Sequence, residues 1–188
     1  RAMVYHGNKD LRLERVPEPV PDFGEVKMQV DLCGICATDI EEYQYGPVFI
    51  SHSGPHPLTG KMLPVITGHE LTATVVEIGQ GVEDVELGTR VAVHGILTCG
   101  TCSWCRKGYT SQCPFIAPIG FARDGGLAEF LCWPASHVIP LPNHVSSEEA
   151  ALVEPTSVAY HAFYKSCPQA EDTVAILGVG TIGMLAMQ

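Results

Sequence analysis

Four cysteines fall within fifteen residues, as Cys99-x2-Cys102-x2-Cys105-x7-Cys113. Thiols this close are too crowded to pair comfortably with one another, and in a reducing compartment they more often hold metal. The short spacings let one loop wrap a tetrahedral ion. Zinc is one reading; an iron–sulfur cluster, which also takes four cysteines, is the other. Gly100 and Gly108 ease the turns between ligands. Four thiolates leave zinc no open position, so this lobe should stabilise a loop rather than catalyse.

A second set of possible ligands is dispersed. Cys36 stands in Gly34-Ile35-Cys36-Ala37-Thr38-Asp39, His69 and Glu70 in Gly68-His69-Glu70, and Glu154 in Val153-Glu154-Pro155. One thiolate, one imidazole and one or two carboxylates could hold a zinc ion that keeps an exchangeable position. Asp39 could accept a hydrogen bond from the free nitrogen of His69, orienting the ring. Each residue alone has a plainer explanation. Cys36 could be a buried thiol. His69 could be a hydrogen-bonded histidine at a strand end. Thr38-x-x-Glu41 matches a capping box, and Glu154 could sit at the positive end of a helix dipole.

A third group lies near the end of the chain. Gly178-Val179-Gly180-Thr181-Ile182-Gly183 follows the apolar run Thr173–Leu177 and precedes the helix-like Met184–Gln188. A strand, a glycine turn and a helix are the context of a dinucleotide-binding motif. The glycines permit close backbone approach, and the helix N-terminus faces the pyrophosphate. The acidic residue that reads the ribose is expected about 20 residues further on. That lies past Gln188, so the cofactor is read as NAD or NADP.

The order of Gly-Ile-Cys-x-Thr-Asp, Gly-His-Glu, the four-cysteine lobe and the late Gly-x-Gly-x-x-Gly resembles the zinc-containing medium-chain alcohol dehydrogenases over essentially the whole chain. Gly54-Pro55-His56-Pro57-Leu58-Thr59-Gly60, Leu63-Pro64-Val65 and Leu152-Val153-Glu154-Pro155 look most like the 2,3-butanediol dehydrogenases, with sorbitol and xylitol dehydrogenases as near neighbours. The resemblance implies one catalytic and one structural zinc. It makes Cys36 and His69 catalytic ligands, and Glu70 the carboxylate beside the ion, bound or displaced by water. Glu154 matches the glutamate of polyol dehydrogenases, which binds zinc directly or through water. Thr38 matches the hydroxyl that takes the substrate proton. The family often has a histidine three residues later as a relay; here Glu41 stands there. A glutamate ordinarily titrates at about 4.3 rather than about 6.5, so either Glu41 is tuned upward or the proton leaves by another route. The implied activity is hydride transfer between a secondary alcohol, a vicinal diol or polyol, and the nicotinamide, in a homodimer or homotetramer. The rival from another class is a non-catalytic zinc-binding scaffold.

The elements that must position these residues read as mainly β. Val26, Met28, Val30 and Leu32 alternate with polar residues as a half-buried strand does, and Thr72–Ile78, Arg90–His94 and Leu127–Trp133 suggest further strands. The character changes near residue 146. Ser146-x-x-Glu149 fits a capping box before Ala150–Val153, and Pro155 could begin a helix over Thr156–Ser166. Thr173–Leu177 suits a buried parallel strand. The expectation is a GroES-like β-barrel catalytic domain over residues 1–150, then linker helices and the first βα unit of a Rossmann domain over 151–188. A single βα unit leaves its strand uncovered, so a longer natural protein, inactive when cut here, is expected.

The net charge of -10 argues against nucleic-acid and membrane-surface partners, since both are polyanions. No run approaches the roughly 18 apolar residues of a membrane span, and no signal-like stretch opens the chain. A cytoplasmic enzyme acting on a small alcohol is the expected setting.

Overall fold

The computed structural model describes residues Arg1–Gln188. In chain order the elements are β1 (Ala2–Gly7), β2 (Asp10–Glu14), β3 (Glu25–Gly34), α1 (Ala37–Tyr45), β4 (Val65–Ile66), β5 (Glu70–Ile78), β6 (Arg90–Val93), β7 (Ile96–Leu97), α2 (Ser103–Arg106), β8 (Ala117–Pro118), β9 (Phe130–Pro134), β10 (Val138–Pro140), α3 (Ser147–Ala151), α4 (Val153–Ser166) and α5 (Thr181–Ala186). A five-stranded sheet runs β10-β6-β5-β3-β9, a three-stranded one β2-β1-β4, and β7 pairs with β8. This is a mainly β architecture, with α1 and α2 set between strands and α3, α4 and α5 following the last strand.

The five-stranded sheet owes its stability to one buried face. Val26, Met28, Ala73, Val75, Val91 and Trp133 are at most 1% exposed. Burying each large apolar side chain contributes about 1.5–3 kcal/mol. Trp133 is buried because its polar end is satisfied: Nε1 donates to the carbonyl of His94 at 3.1 Å. A smaller cluster of Tyr5, Ile50, Val65 and Phe121 fills the space beside the three-stranded sheet.

The register of β3 against β5 matters most for function. The two strands are antiparallel, and the pairing ends with Gly34 opposite Glu70. Two motifs separated by more than thirty residues are thereby laid side by side. The expected alternation along β3 is only partly realised. Lys27 is buried, while Leu32 is exposed. Two causes are visible. Register shifts at Lys27/Met28 and Val30/Leu32 break the pleat. Lys27 also reaches Glu18 and Glu77, and its ammonium lies over the ring of Phe130, so the lysine is buried without losing its charge partners.

Ser146 caps α3 as its sequence suggests. Its N–H donates to Glu149 at 2.8 Å, and its hydroxyl accepts from the Glu149 N–H at 3.1 Å. Helix α4 begins two residues before Pro155, which lies in the first turn, where a missing N–H costs nothing. Thr173–Leu177 does not form a strand. Its side chains are open to solvent, Leu177 being 98% exposed. A parallel strand needs neighbours to pair with, and the chain supplies none here. No helix is long and apolar enough to cross a membrane.

Candidate active site

Cys36 immediately precedes α1 and starts it. Its carbonyl accepts from the N–H groups of Asp39 and Ile40, and its N–H donates to Asp39 Oδ2 at 3.0 Å. The capping pair is therefore Cys36 with Asp39, not Thr38 with Glu41. The helix start thus fixes a thiol, a hydroxyl and a carboxylate in one turn. Thr38 Oγ1 lies 3.7 Å from Cys36 Sγ.

His69 and Glu70 arrive from the other strand. Gly68 has φ +93°, a conformation that glycine adopts without strain. A side chain at Gly68 would also strike Leu127 and the sulfur of Cys33. Gly34 faces Glu70 so closely that a Cβ there would lie 2.5 Å from Glu70 Oε2. Both glycines are set by the close packing of the two motifs.

The donor atoms of Cys36, His69 and Glu70 all lie within 4.8 Å of one another. Glu70 is buried and the other two are half-buried. Burial pushes the Cys36 thiol up, and the neighbouring Glu70 adds to it, although contacts with Thr38 offset part of the rise. Burial pulls His69 down, but Asp39 outweighs this, with help from Glu154 and Glu70, so its proton affinity ends above the usual value. Glu154, half-buried in the first turn of α4, is pushed up by burial and by Glu70 and Asp39, against the pull of His69. It is close enough to feel these charges but is not part of the tight three-residue cluster. A thiol, an imidazole and a carboxylate facing one point suit a borderline-soft divalent ion such as zinc. His69 Nδ1 is turned to Asp39, which leaves Nε2 as the donor. Glu41 lies exposed on α1, outside this cluster.

The four cysteines of the lobe form a second cluster, again with all donors within 4.8 Å. The sulfurs of Cys99 and Cys113 are 3.6 Å apart. Zinc–sulfur bonds of about 2.3 Å in a tetrahedron give an edge of about 3.8 Å. Backbone N–H groups point at the sulfurs: Cys102 at Cys99, Cys105 at Cys102, and Phe115 at Cys113, each at 3.4 Å. Such contacts, from Thr101 and Cys102, bring the Cys99 thiol down to about 6. Desolvation and the neighbouring sulfurs push Cys105 up to about 11. None of the eight cysteines is in a disulfide.

The glycine turn also shows why small residues stand there. Gly178 has φ +107°, α5 opens after Gly180, and a Cβ at Gly183 would sit 2.0 Å from the carbonyl of Gly178. Three features near the first cluster escaped the sequence. Phe121 packs against His69 with ring centres 5.1 Å apart, and Phe49 meets Phe121 edge-on at 5.9 Å. Glu42 is fully buried. Its spacing from Thr38, one helical turn on, was the only hint available.

The chain is 38% identical to the (R,R)-butanediol dehydrogenase of Bacillus subtilis (strain 168), over all of this chain and 54% of that protein. It is 33% identical to the sorbitol dehydrogenase of the same strain, over all of this chain and 51% of that one. The crystal structure of the Bacillus subtilis 2R,3R-butanediol dehydrogenase superposes with a TM-score of 0.93 at 38% identity, covering 99% of this chain and 53% of that one. The chain thus spans about half the length of the curated relatives it matches. Residues 22–143 match the alcohol dehydrogenase GroES-like domain, and the chain belongs to that family.

Proposed function

We propose that the full-length protein is a zinc-dependent oxidoreductase that moves a hydride between a secondary alcohol, best a vicinal diol such as 2,3-butanediol, and NAD or NADP. The observation that carries this is the convergence of Cys36, His69 and Glu70 within 4.8 Å, with the Thr38 hydroxyl 3.7 Å from the Cys36 sulfur. The stronger identity to the butanediol enzyme than to the sorbitol enzyme supports a diol over a longer polyol.

The division of labour follows from the side chains. Cys36 and His69 would hold a catalytic zinc, with Glu70 beside it and Glu154 as a nearby carboxylate. Zinc, when bound there, supplies the Lewis acidity that makes an alcohol hydroxyl easier to deprotonate. Thr38 would accept the substrate proton and pass it outward. Glu41, exposed three residues along α1 where the family often has a histidine, would be the acceptor at the surface end. Asp39, whose carboxylate faces Nδ1, would favour the tautomer that leaves Nε2 free. Cys99, Cys102, Cys105 and Cys113 would hold the structural zinc. Residues 1–150 form the catalytic domain, and 151–188 lead into the nicotinamide-binding domain through Gly178, Gly180 and Gly183.

The test is a diol and polyol panel with both nicotinamides, run on the full-length protein and on Thr38→Val and Thr38→Ser. Loss of the hydroxyl should lower kcat by about 10²–10⁴-fold, and serine should restore most of it. A zinc-replete wild type that turns over no secondary alcohol would sink the reading.

A further inference from the structure

Glu42 is a buried carboxylate that the chemistry above does not use. It is 0% exposed and lies on α1, the helix whose first turn carries Thr38 and Asp39. Its two oxygens take the N–H groups of three consecutive residues: Val48 at 3.0 Å, Phe49 at 3.0 Å and Ile50 at 3.2 Å. A run of backbone N–H groups converging on one point is an anion-binding nest, here filled by the protein's own side chain. The site is built tightly around it. Tyr5 donates to the Glu42 carbonyl at 2.8 Å. A Cβ at Gly46 would lie 2.9 Å from both the Glu42 carboxyl carbon and the Tyr5 hydroxyl, so the chain can fold back only through glycine.

The segment that Glu42 holds leads to the site. Ile50 is 1% exposed and packs with Tyr5, Val65 and Phe121. Phe49 is 57% exposed and leans edge-on against Phe121, which also packs on the His69 ring. One carboxylate therefore ties the end of α1 to the aromatic pair beside His69.

We propose that Glu42 is a positioning residue: by holding the N–H groups of Val48–Ile50 it sets Phe49 on Phe121, and so fixes an apolar wall beside His69 for the carbon skeleton of the alcohol. This rests on the proposed alcohol oxidation. Glutamine at this position keeps the shape but turns an N–H₂ toward backbone donors, so at least one N–H loses its acceptor. Charge-assisted hydrogen bonds are strong enough that losing one should loosen the segment by about tenfold or more.

The experiment uses the full-length protein and two readouts. Amide hydrogen exchange should quicken by about tenfold at residues 48–50 in Glu42→Gln, with the β5 amides unchanged. In steady-state kinetics the alcohol KM should rise by about tenfold, with kcat within about threefold and the nicotinamide KM unmoved. Phe49→Ala serves as the second variant. Its side chain is largely exposed, so the fold should survive, and it should reproduce the KM effect. Unchanged exchange at 48–50 overturns the proposal, as does an alcohol KM that neither variant moves. If Glu42→Gln fails to fold, the Phe49→Ala kinetics decide alone. A wild type without alcohol activity would end the functional reading, yet the exchange data would still decide whether Glu42 holds the segment.

Discussion

Asp39 Oδ1 lies 3.6 Å from His69 Nδ1, and neither buried atom has any other hydrogen-bond partner. The gap is too long for a hydrogen bond. The second Asp39 oxygen is already taken by the Cys36 N–H at 3.0 Å. One carboxylate thus stands between the two side chains that face the metal position, hydrogen-bonded to the backbone of one and facing the ring of the other.

Asp39→Asn tests that link. Asparagine keeps the volume and can still cap Cys36, but it removes the charge that holds His69 above its usual proton affinity. The imidazole should become a poorer, less well-oriented donor. Loss of such a partner typically costs about 10–100-fold in metal affinity. Chelator titration of the full-length protein should release one zinc earlier than in the wild type, while the lobe zinc leaves at an unchanged concentration. Identical release curves would show that Asp39 only caps the helix.

The lobe should respond differently. Cys113 is its buried cysteine, and Phe115 and Cys99 both direct N–H groups at its sulfur. Cys113→Ser should remove one zinc and leave the catalytic one. Loss of a structural metal is among the changes that cost on the order of 4 kcal/mol or more. For a domain of this size that is a fall in Tm of roughly 8–16 °C. In metal-stripped wild type, Cys99 lies at about 6 and Cys105 at about 11. Only thiolates alkylate readily, so peptide mapping at neutral pH should find Cys99 modified well before Cys105. The reverse order would contradict the lobe geometry.

What the sequence disclosed depended on how local each feature is. The cysteine lobe was legible because its ligands share one loop, and the Ser146–Glu149 cap because it spans a single turn. The meeting of Cys36 with His69 was not legible from spacing. It depends on the register that sets Gly34 against Glu70, and only the family resemblance pointed to it. Glu42 was invisible for the same kind of reason. Beside Glu41 it looks like a solvated helix residue, and its burial requires residues 46–50 to fold back over it. The run Thr173–Leu177 has the composition of a buried strand, but composition cannot supply the neighbours a strand must pair with.

Tyr5 gives the molecule an alkaline limit. Burial, and then the charge of Glu42, push its hydroxyl up to about 12. The unfolded chain releases that proton near the ordinary value of 10.0. A raised folded value means the stabilisation is complete below pH 10 and declines as pH rises toward 12. Tyr5→Phe should flatten that decline. It should also cost about 0.5–1.5 kcal/mol at pH 8, because the hydrogen bond to the Glu42 carbonyl is lost. Urea unfolding at pH 8 and pH 11 measures both effects. Equal pH sensitivity in the two proteins would assign the alkaline loss to another group.

Gly34→Ala separates the stability of the strand pair from the chemistry it positions. Within β3 alanine is a tolerable residue, and the added methyl meets chiefly the end of a flexible side chain, Glu70 Oε2 at 2.5 Å. The carboxylate can swing away more cheaply than the strands can part. Stability should therefore change by about 1 kcal/mol or less, as for substitutions that open no cavity and bury no new polar group. The carboxylate beside Cys36 and His69 would move, and with it the charge that adds to the burial-driven rise of the Cys36 thiol. Turnover should fall by about tenfold or more, with the lobe zinc retained, because a site held loosely by even about 1 Å loses its alignment. If Gly34→Ala keeps wild-type turnover, Glu70 does no work at the metal position, and the close approach of Gly34 to it serves packing alone.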